Sequence, residues 1–486
     1  MTDDDAPGPV WLDDGATARH AAAIAARLAA IGVGAGDTVA LLAGNHGGFV
    51  AARDAVTALG AVLAPINARL AGPEVAWILG HARPRALVVD RAHAELVPPP
   101  SSASGAPVPL VVVDDVAAAA SAGAVDLTRI GATLLYTSGT TGRPKGCLRL
   151  EPAEAARAAE LQSTYALAAG DVHLVGCPLA HSAPGMFLRA ARAAGARTVL
   201  LERFRPRAFL DAAVATRATV FFLVPTQWHR LLELPAAERG HDLGAVRAAI
   251  VAGAPIAAAI KDRISAWLGP GKLWEFYGSS ETGTITVAAP GDHDRHPGSV
   301  GRSPAGVSVR VVDERGAPVG PGVDGEVFVR SAALMAGYLG DDGQLARPDQ
   351  HDGHVSVGDL GRLDDGGWLT LVDRKHDTII SGGANVYPAE VERVLAEHAA
   401  VAGAVVFGTP DAEWGQVVTA LIAPRGSAPP LAAELTAFAR RQLAGYKLPR
   451  RWATCTVAEL PIGGSGKALR RAARDGFAAG RYPPLP

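Results

Sequence analysis

Short apolar runs alternate with Ala-rich stretches of helical periodicity over the first part of the chain. Residues 39–42, 86–89 and 110–113 are apolar and lie near Gly, Pro or Asp, as buried strands do, and residues 20–31 repeat their apolar positions as a helix does. Similar strand-like runs follow at residues 198–201, 219–224 and 248–251. Because strands separated by helices are typical of parallel sheets covered by helices, the sequence predicts an α/β fold.

The pattern changes after about residue 307. The stretches VRVVDERG, GEVFVRS and GWLTLVDRK indicate short strands separated by turns, and therefore a β-rich subdomain. After Arg374, the stretch TIISGGANVYPAEVERVLAEH predicts a strand, a glycine-rich turn and a helix that begins at Pro388. Two more strands and a helix over residues 432–443 follow. The 486 residues suffice for about two to four folding units, and the last roughly 110 have the size of a small α+β domain.

Composition excludes several classes of protein. A net charge of −2 with 49% hydrophobic residues argues against a disordered chain and against a basic surface for nucleic acid. The three cysteines are too widely spaced for a disulfide framework or a paired-cysteine metal site. The acidic start MTDDDAPG lacks the features of an export signal, and no apolar run reaches the roughly 18 to 20 residues of a membrane span. We therefore expect a soluble cytoplasmic protein without nucleic-acid partners.

The stretch LLYTSGTTGRPKG at residues 134–146 carries the strongest chemical signal. An apolar strand leads into a loop of small and hydroxyl residues whose backbone N–H groups can surround an anion, and a lysine follows. The loop is not a Walker A motif, because Lys145 stands three residues after Gly142 with Pro144 before it. The residues predicted to bind phosphate are Thr137, Ser138, Gly139, Thr140, Thr141, Gly142 and Lys145.

Lysine is rare in this chain, which has only six among its 46 basic residues. Since arginine serves wherever a surface cation suffices, the few remaining lysines are worth checking for positions where a compact, rotatable ammonium is needed, with retention by chance as the alternative. The six are Lys145, Lys261, Lys272, Lys375, Lys447 and Lys467.

The phosphate-binding stretch resembles the corresponding motif of the adenylate-forming superfamily, which includes acyl-CoA synthetases, adenylation domains of nonribosomal peptide synthetases, and luciferases. Further stretches resemble that family's other motifs, in the same order and at the same spacing. They are YGSSET at residues 277–282, GDL at 358–360, DRKHD at 373–377, SGGANVYP at 381–388 and GSGKALR at 464–470. The resemblance covers roughly residues 36–470 and is greatest to the acyl-CoA synthetase branch.

The resemblance implies a domain organisation. It gives a large N-terminal α/β domain of several layers with the β-rich subdomain over residues 1–373, a hinge at 374–376, and a small mobile C-terminal α+β domain over 377–486. Departures from the family pattern are His376 at the hinge where Asp or Lys is usual, Ser280 and Val357 where Thr is usual, and a short N-terminal segment.

The activity implied is that of an ATP-dependent acid–thiol ligase. A carboxylate and ATP would give acyl-AMP and pyrophosphate, and the thiol of coenzyme A would then displace AMP, with the domains alternating between two arrangements. The cofactors implied are ATP/AMP, Mg²⁺ and coenzyme A. Two alternatives remain open, namely an enzyme of one half-reaction only, acting on a supplied acyl-adenylate or adenylating for a carrier protein, and a non-catalytic nucleotide-binding regulator.

The same resemblance assigns roles to residues. Catalytic roles fall to Lys467, which would bridge the substrate carboxylate and α-phosphate, to Glu281, which would also hold Mg²⁺, and to His181, where the alternatives are catalysis, gating or a structural role. Asp359 and Arg374 would bind the ribose, and Gly382 and Gly383 would line the pantetheine passage. The remaining nucleotide or cofactor contacts are Gly253, Ala254, Pro255, Tyr277, Gly278, Ser280 and Lys447, of which Tyr277 and residues 253–255 have core packing as their alternative.

The acid itself is predicted from three candidate pocket segments, at residues 182–186, 225–228 and 283–285. These segments are small or apolar and contain no Arg or Lys for a second carboxylate. We therefore expect a bulky apolar monocarboxylic acid, aromatic, alicyclic or polycyclic, rather than malonate or acetate. The oligomeric state is open, with a homodimer as one alternative.

Overall fold

The computed structural model describes residues 8–97, 108–116, 125–126, 129–137, 144–236, 238–240, 242–253, 256, 258–313, 315–348, 350–374, 379–386, 388–426, 429–461, 468 and 470–486. The helices are α1 (Asp14–Ala30), α2 (Gly47–Ala58), α3 (Gly72–Ala82), α4 (Glu151–Thr164), α5 (Ser182–Ala193), α6 (Pro206–Ala215), α7 (Pro225–Glu233), α8 (Ala258–Leu268), α9 (Asp292–Arg295), α10 (Pro388–Ala396), α11 (Ala432–Arg440) and α12 (Arg470–Ala478).

The strands of the N-terminal part are β1 (Val10–Trp11), β2 (Thr38–Leu42), β3 (Val62–Ile66), β4 (Ala86–Val89), β5 (Leu110–Val112), β6 (Thr133–Thr137), β7 (Lys145–Arg149), β8 (Val172–Val175), β9 (Arg197–Leu200), β10 (Val220–Leu223), β11 (Ala248–Val251), β12 (Leu273–Ser279) and β13 (Gly283–Ala288). Those that follow are β14 (Ser308–Val312), β15 (Gly325–Arg330), β16 (Gly337–Leu339), β17 (Leu345–Ala346), β18 (Gln350–His351), β19 (His354–Leu363), β20 (Leu369–Arg374), β21 (Ile379–Ser381), β22 (Ala384–Val386), β23 (Val401–Asp411), β24 (Gly415–Pro424) and β25 (Arg451–Thr454).

Two large sheets form the N-terminal domain. One has the order β1-β9-β8-β10-β11-β12-β13 and the other β17-β16-β7-β6-β3-β2-β4-β5, with parallel pairing in the middle of each. A β-rich subdomain has the order β14-β15-β19-β18 with β20 beside β19, and the small C-terminal domain has β22-β21-β24-β23 with β25 beside β24. This arrangement confirms the predicted α/β fold with a large and a small domain.

The two large sheets share one apolar core. Side chains of β2 and β4 pack with those of β8 and β9 around α1, α2 and α5. The other face of α5 places Phe187 against Phe222, with stacked rings 5.6 Å apart. Because α5 is fixed between the sheets, the residue that precedes it, His181, has a defined position at the edge of both.

The predicted strands occur within one or two residues of their expected bounds, and the differences at helix ends have local causes. α1 begins at Asp14 rather than at residue 20, because Asp13 caps the helix by accepting a hydrogen bond from the backbone N–H of Ala16 at 2.8 Å. α11 ends at Arg440 rather than at residue 443. In the part of the chain that the structure describes, no helix has the length and apolar character needed to cross a membrane.

Candidate active site

The predicted phosphate loop is closed at its base by a strand ladder. β6 and β7 pair antiparallel, so that Thr137 lies opposite Lys145. The ammonium of Lys145 lies 5.1 Å from the ring centroid of Tyr338, a residue of β16. Several predicted site residues lie outside the described residues: Ser138, Gly139, Thr140, Thr141, Gly142, Ala254, Pro255, His376 and Lys467.

The tight turn around Glu281 joins β12 to β13. The register of these strands shifts at Tyr277 and Gly278, and a Cβ atom on Gly278 would lie 2.3 Å from the carbonyl oxygen of Gly283, so only glycine fits there. The hydroxyl of Tyr338 donates to Oε1 of Glu281 at 2.9 Å. Tyr338 thus connects the base of the phosphate loop to the carboxylate proposed to hold Mg²⁺.

The backbone of Ser280 lies against β7. Its carbonyl oxygen accepts a hydrogen bond from Sγ of Cys147 at 3.3 Å. Burial and the nearby Glu281 raise the pKa of the Cys147 thiol to about 12. The thiol therefore stays protonated and serves to pack the turn rather than as a nucleophile.

Two predicted nucleotide contacts meet between the N-terminal sheet and the β-rich subdomain. The hydroxyl of Tyr277 donates a hydrogen bond to Oδ2 of Asp359. Asp359 is buried, with 4% of its surface exposed, and lies opposite Arg374 in the β19–β20 ladder. Gly253 follows β11 with a φ of +92°, a left-handed conformation that favours glycine. The fold thus brings an aromatic ring beside the carboxylate predicted to bind ribose.

His181 is the residue at the N-cap position of α5, where its side chain is exposed and makes no capping hydrogen bond. Its Nε2 lies 3.4 Å from Nδ2 of Asn67. Desolvation by surrounding protein atoms, together with the charge of Arg69, lowers the pKa of His181 to about 4. The imidazole is therefore neutral at physiological pH, which suits a group placed beside anionic reactants. Whether His181 acts in catalysis, in gating or only in the structure stays a prediction.

Gly382 and Gly383 contact the N-terminal domain. Gly382 has a φ of +60°, its N–H donates to the carbonyl oxygen of Trp414 at 3.0 Å, and its own carbonyl accepts from Oγ1 of Thr226 at 3.3 Å. A Cβ atom on Gly382 would lie 2.7 Å from the indole ring, and one on Gly383 would lie 2.9 Å from Cβ of Val224. The turn formed by Gly382 and Gly383, which we call the glycine turn, therefore packs closely against the start of α7.

Lys447 lies in the interface between the domains. Its side chain is 2% exposed, and its Nζ donates to Oε1 of Glu74 at 2.5 Å and to Oε1 of Glu390 at 2.7 Å. Glu74 belongs to α3 and Glu390 to α10. We call these three residues the interdomain cluster. In this domain arrangement both carboxylates hold the ammonium of Lys447 in a buried position, and its cofactor contact stays a prediction.

A tryptophan joins the domains nearby. The guanidinium of Arg230, in α7, lies 5.0 Å from the ring of Trp414, and that of Arg450 lies 3.9 Å from it. Nε of Arg230 also lies 3.2 Å from Oε1 of Glu413. Cation–π contacts from both domains therefore flank one indole ring of the C-terminal domain.

Two arginines from elsewhere in the sequence lie beside segments predicted to form the site. Nη1 of Arg157 donates to Oγ of Ser182 at 3.1 Å, and Nη2 of Arg149 donates to the carbonyl oxygen of Ser279 at 3.3 Å. The pocket segments contain no arginine themselves, but α4 and β7, which lie elsewhere in the sequence, supply them. Together with Arg189 these arginines surround Glu154, and we call the four residues the arginine cluster.

Sequence reasoning missed Tyr338, the arginine cluster and the carboxylates of the interdomain cluster. The one available signal was the spacing of Glu154 and Arg157, three residues apart in an Ala-rich helix, which places them on one face. Such a face is usually solvated, whereas here it is buried.

Comparison with known protein families matches residues 11–339 to the AMP-binding enzymes and residues 390–467 to the AMP-binding enzyme C-terminal domain. A feruloyl-CoA synthase from an Amycolatopsis species is 34% identical over 465 residues, which cover 94% of this chain and 92% of that protein. An o-succinylbenzoate CoA synthetase from Bacillus subtilis, solved as a double mutant with a product analogue, gives a TM-score of 0.81 at 29% identity, covering 95% and 92% of the two chains. An amide bond synthetase from Marinactinospora thermotolerans gives 0.81 at 31% identity, covering 95% and 94%.

Proposed function

The chain belongs to the family of AMP-binding enzymes and is an ATP-dependent acid–thiol ligase, and we propose that it joins a bulky carboxylic acid to coenzyme A through an acyl-AMP intermediate. In the first half-reaction the acid's carboxylate attacks the α-phosphate of ATP, and pyrophosphate leaves. In the second, the thiol of coenzyme A attacks the acyl carbon, AMP leaves, and the thiol proton is released. The observation that carries the proposal is the meeting of Tyr277 with Asp359 beside the Glu281 turn.

The nucleotide would lie along this row of residues. Asp359 would accept from the ribose hydroxyls, Tyr277 would cover the adenine, and Lys145 with the loop that it follows would contact phosphate oxygens. Glu281 offers the carboxylate oxygen that Mg²⁺ prefers, so Glu281 and phosphate oxygens would hold the ion, which would neutralise charge on the phosphates. Lys467 would reach the substrate carboxylate during the first half-reaction only.

The domain arrangement supports a role in the second half-reaction. The glycine turn at Gly382 and Gly383 lies against the N-terminal domain, where the pantetheine passage is expected. The boundaries at residue 373 and at 377, and the pivot at His376, stay proposals, as does a homodimer.

The acid is proposed to be bulky, aromatic, alicyclic or polycyclic. Support comes from the segments at residues 182–186, 225–228 and 283–285, whose small or apolar residues leave room beside the reacting centre. The arginines beside these segments argue against a wholly apolar acid.

Separate measurement of the two half-reactions tests the proposal. ATP–pyrophosphate exchange reports acyl-AMP formation, and conversion of synthetic acyl-AMP to acyl-CoA reports the second step. Lys467→Ala should lower acyl-AMP formation by about 10²-fold to 10³-fold, as does loss of one group that stabilises charge in the transition state. It should leave the second step unchanged.

Lys272→Ala is the matched control, since Nζ of Lys272 donates to the carbonyl oxygen of Leu243 away from the site. Exchange without any acyl-CoA formation would replace the proposal by adenylation for another acceptor. Equal loss of both steps in Lys467→Ala would contradict the proposal that each half-reaction uses its own domain arrangement.

A further inference from the structure

Arg157 bridges the two segments that flank the proposed reacting centre. Its Nη1 donates to Oγ of Ser182, the residue after His181, at 3.1 Å. The stem of the same side chain passes Gly283, two residues after Glu281, since a Cβ atom on Gly283 would lie 3.4 Å from Cγ of Arg157. The guanidinium therefore lies beside two of the segments proposed to line the acid pocket.

Guanidiniums outnumber carboxylates around Arg157, since Arg149 and Arg189 lie near it together with Glu154 and Glu160. Three guanidiniums, those of Arg149, Arg157 and Arg189, surround Glu154, which accepts from Nη2 of Arg189 at 2.9 Å and from the hydroxyl of Thr133. Only 6% of Arg157 is exposed and Arg149 is fully buried. Nε and Nη1 of Arg149 have no hydrogen-bond partner among the described residues. Buried cations without full compensation favour an additional anionic or oxygen-bearing partner.

A second polar group of α4 faces the same segment of the pocket. Glu160 follows Arg157 by three residues, so the two lie on one face of the helix, and it is hydrogen-bonded to Thr284. Its Oε1 has no hydrogen-bond partner within the described part of the chain. The side of the acid site formed by α4 is therefore polar, with donors from Arg157 and an acceptor from Glu160.

We propose that the acid carries a second oxygen-bearing group, at the end remote from the carboxyl that is activated, and that Arg157 donates hydrogen bonds to this group. The group is a carboxylate or a phenol oxygen, since both accept from a guanidinium. This inference rests on the proposed function and narrows its substrate from an apolar acid to a bulky acid with a polar far end. Arg157 thereby determines specificity and takes no part in the chemistry.

Matched acids test the inference. The acids 3-phenylpropanoate, 3-(4-hydroxyphenyl)propanoate and 3-(4-carboxyphenyl)propanoate differ only at the remote end. With the native protein, kcat/KM for acyl-CoA formation should be at least about tenfold higher for one of the oxygen-bearing acids than for 3-phenylpropanoate, as one charge-assisted hydrogen bond provides. The better of the two identifies the remote group.

Arg157→Met should bring that ratio to about one, and Arg157→Lys should retain part of the preference for the carboxylate, because the charge remains. The ratio is measured within one preparation, so it does not depend on the fraction of folded protein. Arg393→Met is the control, since Arg393 is an exposed helical arginine paired with Glu397, and it should leave the ratio unchanged.

Binding of the same acids in the presence of a nonhydrolysable ATP analogue, measured by calorimetry, separates this inference from the proposed function. Preferential binding of an oxygen-bearing acid that is lost in Arg157→Met, without acyl-CoA formation by the native protein, would retain the inference and reject the function. Equal binding and turnover of all three acids would overturn the inference, as would a preference that persists in Arg157→Met.

Discussion

The arginine cluster and the interdomain cluster are both buried groups of charges, but they differ in sign and in position. The arginine cluster gathers guanidiniums around Glu154, and its residues belong to α4, α5 and β7 within the N-terminal domain. The interdomain cluster gathers two carboxylates around one ammonium, that of Lys447, and Glu74 comes from the N-terminal domain while Glu390 comes from the other.

Because one cluster lies within a domain and the other between domains, only the second can be broken while the protein stays folded. Separating the arginine cluster requires unfolding of the N-terminal domain, whereas rotation of the small domain would separate Lys447 from Glu74 and expose both to water. Guanidiniums suit the first role because their planar array of donors holds several partners at once. An ammonium suits the second because it is a compact charge that water solvates well once released.

Glu154→Gln, in the arginine cluster, is expected to have the largest effect, a decrease in the free energy of unfolding. Loss of the Glu154 carboxylate at the centre of the arginine cluster removes the partner of Arg189, and breaking a buried ion pair in this way costs about 3 to 5 kcal/mol. Urea denaturation should show that decrease in the free energy of unfolding. Glu151→Gln, at the exposed start of the same helix, is the control and should change it by about 0.5 kcal/mol or less. If Glu154→Gln changed the free energy of unfolding as little as the control does, the ion pairs of the arginine cluster would not stabilise the fold.

Lys447→Met should act on the domain arrangement more than on stability. Burial alone would lower the pKa of Lys447, but Tyr446, Glu390 and Glu74 raise it above its ordinary value, so the lysine is charged and its removal leaves two buried carboxylates facing each other. We expect conversion of synthetic acyl-AMP to acyl-CoA to fall about tenfold, which corresponds to about 1.4 kcal/mol. Adenylation should be retained, because the other arrangement does not need this contact.

The control for Lys447→Met is Lys272→Met, which removes a lysine that bonds within the N-terminal domain only. Small-angle scattering should show a larger change of shape for Lys447→Met than for this control. Unchanged acyl transfer together with an unchanged scattering profile would show that the interdomain cluster does not select the arrangement.

The last effect depends on pH and concerns Glu160. Burial raises the pKa of its carboxyl to about 7, while its unfolded value is near 4.5. The folded state therefore binds the extra proton between these values, and the free energy of unfolding should fall as pH rises from 4.5 to 7. The contribution is about 3 kcal/mol. Urea denaturation of the native protein and of Glu160→Gln across this pH range gives the difference between their free energies of unfolding, which isolates the contribution of Glu160. A difference that does not depend on pH would contradict the raised pKa of Glu160.

Features encoded by neighbouring residues were predictable from the sequence, and features made by distant residues were not. The strands and the helix at Pro388 follow from local patterns, and the resemblance assigned both Tyr277 and Asp359 to the nucleotide. The resemblance singled out Lys447, yet its partner Glu74 lies 373 residues away, and no local pattern pairs them. Arg157 was missed because a charged helix face reads as solvated until the surrounding sheets are known.

The indole of Trp414 contacts a guanidinium of each domain. In a chain whose small domain rotates as proposed, one face of the ring loses Arg230 and meets solvent, while Arg450 travels with it. Indole emission responds to charge and water beside the ring, so Trp414 is an intrinsic fluorophore at the interface between the domains. Its fluorescence would then change with each proposed domain rotation, without any attached dye.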